Sequence, residues 1–194
     1  ERWAPDFMHR QARAVLPALL RELGVERPWL FGHSDGGSIA LLYAAFFPDA
    51  LRGAVVLAPH IVVEEVSVTN IAAAREAYLR TDLPQRLARY HDDADSAFFG
   101  WNDAWLSPAF RDWNIVGELG AIRCPLLAMQ GLDDEYGTLE QIRGIARAVP
   151  QAQLLEIAAC GHSPHKDQPE VVLEAVRRFT APADGSPVFP PPRE

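Results

Sequence analysis

The chain has 194 residues, of which 48% are hydrophobic and 23% are charged, a composition typical of one globular domain. Its formal net charge of −8 argues against a nucleic-acid partner or an anionic membrane surface, because both require a basic face. No apolar run approaches the roughly 18 residues of a membrane span. We therefore expect a soluble, cytoplasmic protein without a nucleic-acid or membrane partner.

Apolar residues at helical and strand spacing predict an alternation of helices and strands. The predicted helices cover residues 6–23, 38–47, 139–149 and 169–179, and the predicted strands cover residues 27–32, 51–58, 125–130 and 153–158. Strands that alternate with helices favour a parallel sheet. The strand at 27–32 shows no polar alternation, so we expect both of its faces to be covered.

Residues 61–118 interrupt this alternation, with helical patches around 70–80, 83–91 and 95–106 and no strand period. Eight of the chain's 18 aromatic residues lie there: Tyr78, Tyr90, Phe98, Phe99, Trp101, Trp105, Phe110 and Trp113. We expect these rings to form the core of a small helical insertion, and as a group they also suit the apolar roof of a pocket. The segment has ten acidic residues against five arginines, which indicates a solvated acidic face or a weak bias toward cationic substrates.

Three further features predict no chemistry of their own. Residues 181–194 contain five prolines and no period, so they are predicted to be a disordered tail. Cys124 and Cys160 lack C-x-x-C spacing and are expected to be reduced and structural. His162 and His165 form an H-x-x-H pair, but two imidazoles without a third ligand make a poor zinc site. We expect no metal and no cofactor.

The hexapeptide Gly32-His33-Ser34-Asp35-Gly36-Gly37 joins a predicted strand to a predicted helix, which is the context of a nucleophile elbow. The serine stands at the tip of a tight turn, so Gly32 and Gly36 are expected at positions without room for a side chain. Ser34 Oγ would then stand clear of the sheet edge, where the helix N-terminus favours developing negative charge. We expect His33 to point away from the pocket.

Polar side chains also follow the third and fourth predicted strands. Asp133 and Asp134 come after the third strand, and His162 comes after the fourth. Because functional sites gather at the carboxyl ends of parallel strands, these residues are expected near Ser34. A serine nucleophile needs a base to take its proton, and that imidazole needs a carboxylate to fix its tautomer.

The elbow, the Gly131-Leu132-Asp133-Asp134 turn and the Gly161-His162-Ser163-Pro164 segment stand in the order found in the α/β-hydrolase superfamily, which residues 6–180 resemble. The resemblance implies a partial α/β-hydrolase fold, with a parallel sheet flanked by helices and a helical cap insertion. Residues 1–60 and 119–180 would form the core, and residues 61–118 would form the cap over the site.

The same resemblance implies a role for each residue of the site. Ser34 would be the nucleophile, His162 the base and Asp134 the orienting acid, because Asp134 stands three residues after Gly131; Asp133 is the competitor for the acid. The backbone N–H of Asp35 would supply an oxyanion-hole donor. A serine nucleophile, where dehalogenases and epoxide hydrolases of this fold use aspartate, points to acyl transfer from a small ester, thioester or amide to water.

Four side chains are expected to bind the small-molecule substrate: Asp35, His60, Trp101 and Trp105. The Ser34-Asp35-Gly36-Gly37 run resembles valacyclovir hydrolase-like members of the superfamily, in which the carboxylate after the serine helps to bind a substrate amino group. The alternative is that Asp35 merely favours the helix N-terminus.

Members of this superfamily normally carry several strands before the helix at residue 6, including a loop that gives a second oxyanion-hole amide. We therefore expect a truncated piece of a longer enzyme with weak or no activity alone, since losing one such donor costs on the order of 100- to 1000-fold in rate. The strand at 27–32 would be left as an unpaired apolar edge. Two other functions stay open: a ligand-binding protein without efficient turnover, and a C–C bond hydrolase that uses the same triad.

Overall fold

A computed structural model describes residues 3–181 of the chain. These residues form a parallel four-stranded sheet in the order β1-β2-β3-β4, with helices against both faces. The disordered tail predicted for residues 181–194 lies, from residue 182 onward, outside the described residues. No helix within residues 3–181 is long and apolar enough to cross a membrane.

The strands and helices alternate along most of the chain. The strands are β1 (Trp29–His33), β2 (Gly53–Leu57), β3 (Leu126–Gly131) and β4 (Ala152–Ile157). The helices are α1 (Phe7–Arg10), α2 (Leu16–Glu22), α3 (Asp35–Phe46), α4 (Glu65–Arg80), α5 (Leu83–Leu87), α6 (Ala94–Leu106), α7 (Val116–Leu119), α8 (Glu140–Ala148), α9 (Pro164–Asp167) and α10 (Pro169–Thr180). A π-helical turn at Gln11–Val15 joins α1 to α2, and a 3-10 turn lies at Pro108–Phe110.

The predicted parallel sheet is confirmed, and the four predicted strands lie within about two residues of the observed bounds. All three strand pairs are parallel, as the alternation with helices requires. Since every strand runs in the same direction, the loops after all four strands emerge at one edge of the sheet. This edge carries the residues discussed below.

The two faces of the sheet pack against different helices. Side chains such as Ala54 and Val56 face the larger core, which includes residues of α1, α3 and α8. The alternate positions Val55 and Leu57 face α10 through Val172. This division follows from the strand itself, because successive side chains of a strand point to opposite faces of the sheet.

The first strand departs from the expectation that both of its faces are covered, because Phe31 is 54% exposed. Within residues 3–181, β1 lies at the edge of the sheet and pairs with β2 alone. The α10 helix reaches β1 at Trp29, where the ring of Phe179 packs edge-on at a centroid distance of 5.5 Å. Phe31 lies two residues further along the same face and keeps about half of its surface in solvent.

The aromatic rings of residues 61–118 divide between two places instead of forming one separate core. Tyr78 of α4 stacks on Phe98 of α6 at 4.0 Å, which joins these two helices. Trp105 and Phe110, however, are fully buried in the same core as the helices of the sheet. Phe110 stacks on Phe7 of α1 at 6.0 Å, so this helical segment is packed directly onto the start of the chain.

Candidate active site

Three side chains from three loops meet at the carboxyl edge of the sheet. Ser34 follows β1, Asp134 lies in the turn after β3, and His162 lies in the loop after β4. His162 Nε2 is 2.9 Å from Ser34 Oγ, and His162 Nδ1 is 2.8 Å from Asp134 Oδ1. An imidazole in this position can take a proton from the hydroxyl while the carboxylate fixes its tautomer.

The backbone at Ser34 has the strained conformation of a tight strand-to-helix turn. Its φ of 54° and ψ of −127° lie in a region that non-glycine residues rarely adopt. The Ser34 N–H donates to Leu57 O of the neighbouring strand at 2.9 Å, and Ser34 O accepts from the N–H of Gly37 at 2.8 Å. Strain of this kind costs about 1–3 kcal/mol, and these bonds hold the turn in place.

The two glycines that flank Ser34 differ in how closely they are packed. A Cβ at Gly32 would lie 2.3 Å from Gly36 O, so a side chain there is excluded. A Cβ at Gly36 would meet nothing within 4 Å, which corrects the expectation that both positions lack room. The second close position is Gly37, where a Cβ would lie 3.1 Å from Pro59 Cβ. The turn therefore places the Gly36 backbone against Gly32 and leaves the Gly36 Cα facing open space.

The carboxylate of Asp134 is buried and held from several sides. Its Oδ2 accepts from Gln130 Nε2 at 2.9 Å, and its Oδ1 accepts from the N–H of Tyr136 at 2.9 Å. Burial alone raises the pKa of Asp134, but the bond to His162 and these two donors outweigh burial and hold the pKa below its usual value. Asp133 is exposed, and its N–H donates to Cys160 O at 2.9 Å. Of the two neighbouring acids, the structure brings Asp134 to the imidazole.

His33 contacts the loop that carries His162, which corrects the expectation that it points away from the pocket. Its Nε2 lies 2.6 Å from His162 O, so the proton must be on Nε2 for this bond to form. Its ring also packs edge-on against His165 at 4.8 Å. On the other side, the N–H of His162 donates to Glu135 Oε2 at 3.1 Å. No sequence pattern indicates the His33 contact, since the bonded residues are 129 positions apart.

A cavity of about 360 Å³ opens beside Ser34. It is lined by His33, Ser34, Asp35, His60, Ile71, Trp101, Trp105, Tyr136 and His162. All four side chains expected to bind substrate are among them, whereas Ile71 and Tyr136 were not indicated by the sequence. A larger surface groove of about 760 Å³ lies between β4 and α10 and contains none of these residues.

The carboxylate of Asp35 connects the turn at Ser34 to the helical segment. Both of its oxygens lie 3.2 Å from Nε1 of Trp105, a fully buried residue of α6 that donates its N–H to them. Burial raises the pKa of Asp35 to about 7, against the opposing effects of the Trp105 bond and the nearby His162. The carboxyl is therefore a titratable group of the cavity near neutral pH.

The backbone N–H of Asp35 stands at the start of α3. The first N–H groups of a helix have no partner within the helix, and they favour an anion. Asp35 directly follows Ser34, so this N–H lies beside the hydroxyl. The arrangement can stabilise negative charge that develops on an oxygen bound next to Ser34 Oγ.

The imidazole of His60 forms part of the opposite wall, and its side chain is 3% exposed. Its ring packs edge-on against Trp105 at 4.8 Å and lies 5.8 Å from the ring of His162. Burial, together with the nearby His162, lowers the pKa of His60 to about 3. His60 is therefore neutral at physiological pH.

Several histidine rings lie close together around Ser34, yet their surroundings do not form a metal centre. The centroid distances from His33 to His162 and from His33 to His165 are 5.1 Å and 4.8 Å. Within residues 3–181, no group of three or more His, Cys, Asp or Glu side chains is placed to hold a metal ion. His162 is instead engaged with Ser34 and Asp134.

Comparison with known proteins places this chain among hydrolases. A model of the alpha/beta hydrolase family matches residues 2–175. RutD of Pseudomonas syringae pv. syringae (strain B728a), named as a candidate carbamate hydrolase, is 26% identical over 90% of this chain and 75% of its own length. The 2-succinyl-6-hydroxy-2,4-cyclohexadiene-1-carboxylate synthase of Pectobacterium atrosepticum is 27% identical over 84% of this chain and 72% of its own length.

The solved structure of a thermophilic esterase from Thermogutta terrifontis matches this chain with a TM-score of 0.64 and 25% identity. The match covers 89% of this chain and 71% of the esterase chain. The first curated relatives are matched over 63% to 75% of their own lengths.

The different packing of the two glycines gives a test of the turn. We expect Gly32→Ala to lower the free energy of unfolding by roughly 2–3 kcal/mol or more, because its Cβ would overlap backbone atoms. Gly36→Ala should leave stability unchanged or raise it by up to about 1 kcal/mol, because alanine is the better helix former. Urea unfolding of both variants measures the difference. Equal losses in the two variants would contradict this description of the turn.

The raised pKa of Asp35 makes stability depend on pH in a defined direction. Its folded-state pKa of about 7 exceeds the ordinary value near 4, so the folded protein binds more protons between these values. Ionisation of Asp35 therefore costs stability as the pH rises from about 4 to about 7. Asn at position 35 keeps an oxygen that can accept from Trp105 but does not ionise. The free energy of unfolding of Asp35→Asn, relative to that of the wild type, should therefore rise from about pH 4 to about pH 7 and stay constant above pH 7.

Urea unfolding of the wild type and of Asp35→Asn at a series of pH values measures this difference. Asp49→Asn changes the net charge by the same amount at an exposed position and serves as the control. A difference between the wild type and Asp35→Asn that stays constant from about pH 4 to pH 8 would show that Asp35 ionises without cost.

Proposed function

The chain belongs to the alpha/beta hydrolase family, and on that basis we propose that it is a serine hydrolase that cleaves a small ester, thioester or amide through an acyl-enzyme at Ser34. The observation that carries the proposal is the position of His162, which lies within hydrogen-bond distance of both Ser34 Oγ and Asp134 Oδ1. The Ser, Asp, His order and the strained turn at Ser34 support it.

In the proposed reaction, Ser34 Oγ attacks the substrate carbonyl carbon while His162 Nε2 takes the hydroxyl proton. Asp134 holds the Nδ1–H and stabilises the imidazolium that forms. The negative oxygen of the tetrahedral intermediate accepts a hydrogen bond from the Asp35 N–H. His162 then gives the proton to the leaving group, and an acyl-enzyme remains. Water, activated by the same imidazole, releases the acid and restores Ser34.

We propose that residues 61–118 act as a cap over this site. Ile71 of α4 and Trp101 and Trp105 of α6 supply the apolar part of the cavity lining. The Trp105 N–H also donates to the Asp35 carboxylate, and this bond joins α6 to the turn that carries Ser34. The cap would exclude water from the acyl group and set the size of the substrate.

Two other functions are compatible with the same side chains. The relative from P. atrosepticum is named a synthase, so a reaction other than ester cleavage is one alternative, and C–C bond hydrolysis is such a reaction. A protein that binds a ligand without efficient turnover would have the same cavity. We favour an enzyme over a ligand-binding protein because the His162 imidazole lies between the hydroxyl and the carboxylate.

A fluorophosphonate probe tests whether Ser34 is a nucleophile, because it does not depend on the identity of the substrate. Ser34 Oγ should form a bond to phosphorus, fluoride should leave, and His162 should take the hydroxyl proton. Intact mass and peptide mapping should locate the label on Ser34. His162→Gln should slow labelling by at least about 100-fold, since it removes the base.

Ser34→Ala should abolish the label, whereas Ser163→Ala, which removes another hydroxyl from the same edge of the sheet, should be labelled like the wild type. An unlabelled wild-type Ser34 would contradict the serine-hydrolase proposal and favour the ligand-binding alternative.

The position of Asp35 in the cavity wall also suggests a preference for substrates with an amino group. At about pH 7.5, an amino-acyl p-nitrophenyl ester should be hydrolysed faster than its des-amino counterpart, because the ionised Asp35 would pair with the ammonium group. Asp35→Asn should reduce this preference roughly tenfold or more, the effect of losing a charged hydrogen bond. Equal rates for the two esters, unaffected by Asp35→Asn, would mean that Asp35 has only a structural role.

A further inference from the structure

His60 carries ring nitrogens that the fold leaves without partners. Its Nδ1 is shielded from solvent and has no hydrogen-bond partner among the described residues. Within residues 3–181 no group bonds its Nε2 either, although the ring lines the cavity beside Ser34. Nδ1 is sealed and Nε2 is not, so Nε2 is the ring nitrogen that a molecule in the cavity can reach, and it is free of a partner within residues 3–181.

The surrounding structure prevents the ring from finding a partner elsewhere in the protein. Ser38 Oγ donates to His60 O at 2.6 Å and accepts from the His60 N–H at 3.0 Å, which fixes the backbone. The ring is held between Trp105 and His162. These contacts hold the imidazole in the wall of the cavity.

The tautomer follows from the different surroundings of the two nitrogens. A neutral imidazole has one N–H donor and one lone pair. An N–H that is buried without an acceptor costs about 1–3 kcal/mol of stability. Buried N–H groups without a partner are therefore rarer in proteins than buried acceptors without a donor. The sealed Nδ1 therefore carries the lone pair, and the proton is on Nε2, the nitrogen that a molecule in the cavity can reach.

We propose that the Nε2–H of His60 is a specificity-determining donor that selects substrates with an acceptor oxygen close to the scissile carbonyl, such as hydroxy-acyl or oxo-acyl esters and amides, over plain alkyl-acyl ones. The inference rests on the proposed function of Ser34. The ring of His60 is 5.8 Å from the ring of His162, which places the donor beside the reacting atoms.

The neutral state of His60 suits this role. Burial keeps its pKa near 3, so it adds no positive charge beside the imidazolium that His162 becomes during the reaction. A neutral donor favours hydroxyl and keto oxygens, and it does not depend on pH in the range where the enzyme would work. The walls formed by Ile71 and Trp101 provide the apolar surface for the rest of the acyl chain.

A matched pair of substrates tests the proposal: p-nitrophenyl 3-hydroxybutanoate and p-nitrophenyl butanoate, which differ by one hydroxyl group. For the wild type, kcat/KM should favour the hydroxy ester by roughly tenfold to hundredfold, since a site built to bind a hydroxyl discriminates against its absence. In His60→Phe the ratio of the two values should fall close to one. His60→Gln, which keeps an N–H donor of similar reach, should restore part of the ratio.

Ile71→Val is the matched control, because it changes the same cavity without changing a hydrogen bond, and it should keep the wild-type ratio. A ratio that is the same in the wild type and in His60→Phe overturns the proposal, and this includes the case in which both esters are slowed equally. Fluorophosphonate labelling of Ser34 in each variant shows whether the nucleophile is intact.

A second measurement needs neither a variant nor turnover. In the ¹⁵N NMR spectrum of histidine-labelled wild type, His60 should show the Nε2–H tautomer. Its Nε2 resonance should shift on addition of sodium 3-hydroxybutanoate and should shift much less with sodium butanoate. The Nδ1–H tautomer, or equal shifts with the two acids, overturns the proposal even if Ser34 proves to be unreactive. Labelling of Ser34 with an unchanged substrate ratio would reject the role of His60 alone.

Discussion

The imidazole of His162 is the interaction on which the rest of the site depends. It joins a hydroxyl after the first strand to a carboxylate after the third, and it comes itself from the loop after the fourth. In this fold the contact depends on the parallel sheet, because the parallel strands bring all three loops to one edge. The hydrophobic strands therefore position Ser34, Asp134 and His162 indirectly, through the direction and order of the strands in the sheet.

Most hydrogen bonds around this imidazole fix the positions of the groups that it contacts. Gln130 and the Tyr136 N–H hold Asp134 and keep its pKa low, so the acid stays ionised beside its partner. His33 and Glu135 hold the backbone of His162 from two sides. A base fixed in this way needs little reorganisation when it takes a proton, which is the main source of electrostatic catalysis in enzymes.

The sequence was sufficient for the sheet and for the positions of Ser34 and His162, because periodicity and strand ends are local signals. It left Asp133 and Asp134 open on spacing alone, since a turn of two or three residues decides which carboxylate faces inward. The resemblance to the α/β-hydrolase superfamily favoured Asp134, the acid that the structure brings to His162. His33 was misjudged because its partner is a backbone oxygen, which no residue type at position 162 could indicate.

The same reasoning explains the error at Gly36, where the motif suggested crowding on both sides of Ser34. The close approach involves the carbonyl of Gly36 and the Cα of Gly32, so only one of the two positions requires glycine for space. The apolar pattern of the first strand did not indicate the exposure of Phe31, although the resemblance to the superfamily gave this strand as an edge. Such features depend on packing between distant segments.

Proton NMR of the wild type tests the central contact most directly, because an N–H donated from imidazole to a carboxylate gives a resonance at unusually low field. The account requires such a resonance from His162 Nδ1–H, absent in His162→Gln and lost or moved upfield in Asp134→Asn. A wild-type spectrum without it, or a resonance that persists unchanged in Asp134→Asn, would contradict the bridge between Ser34 and Asp134.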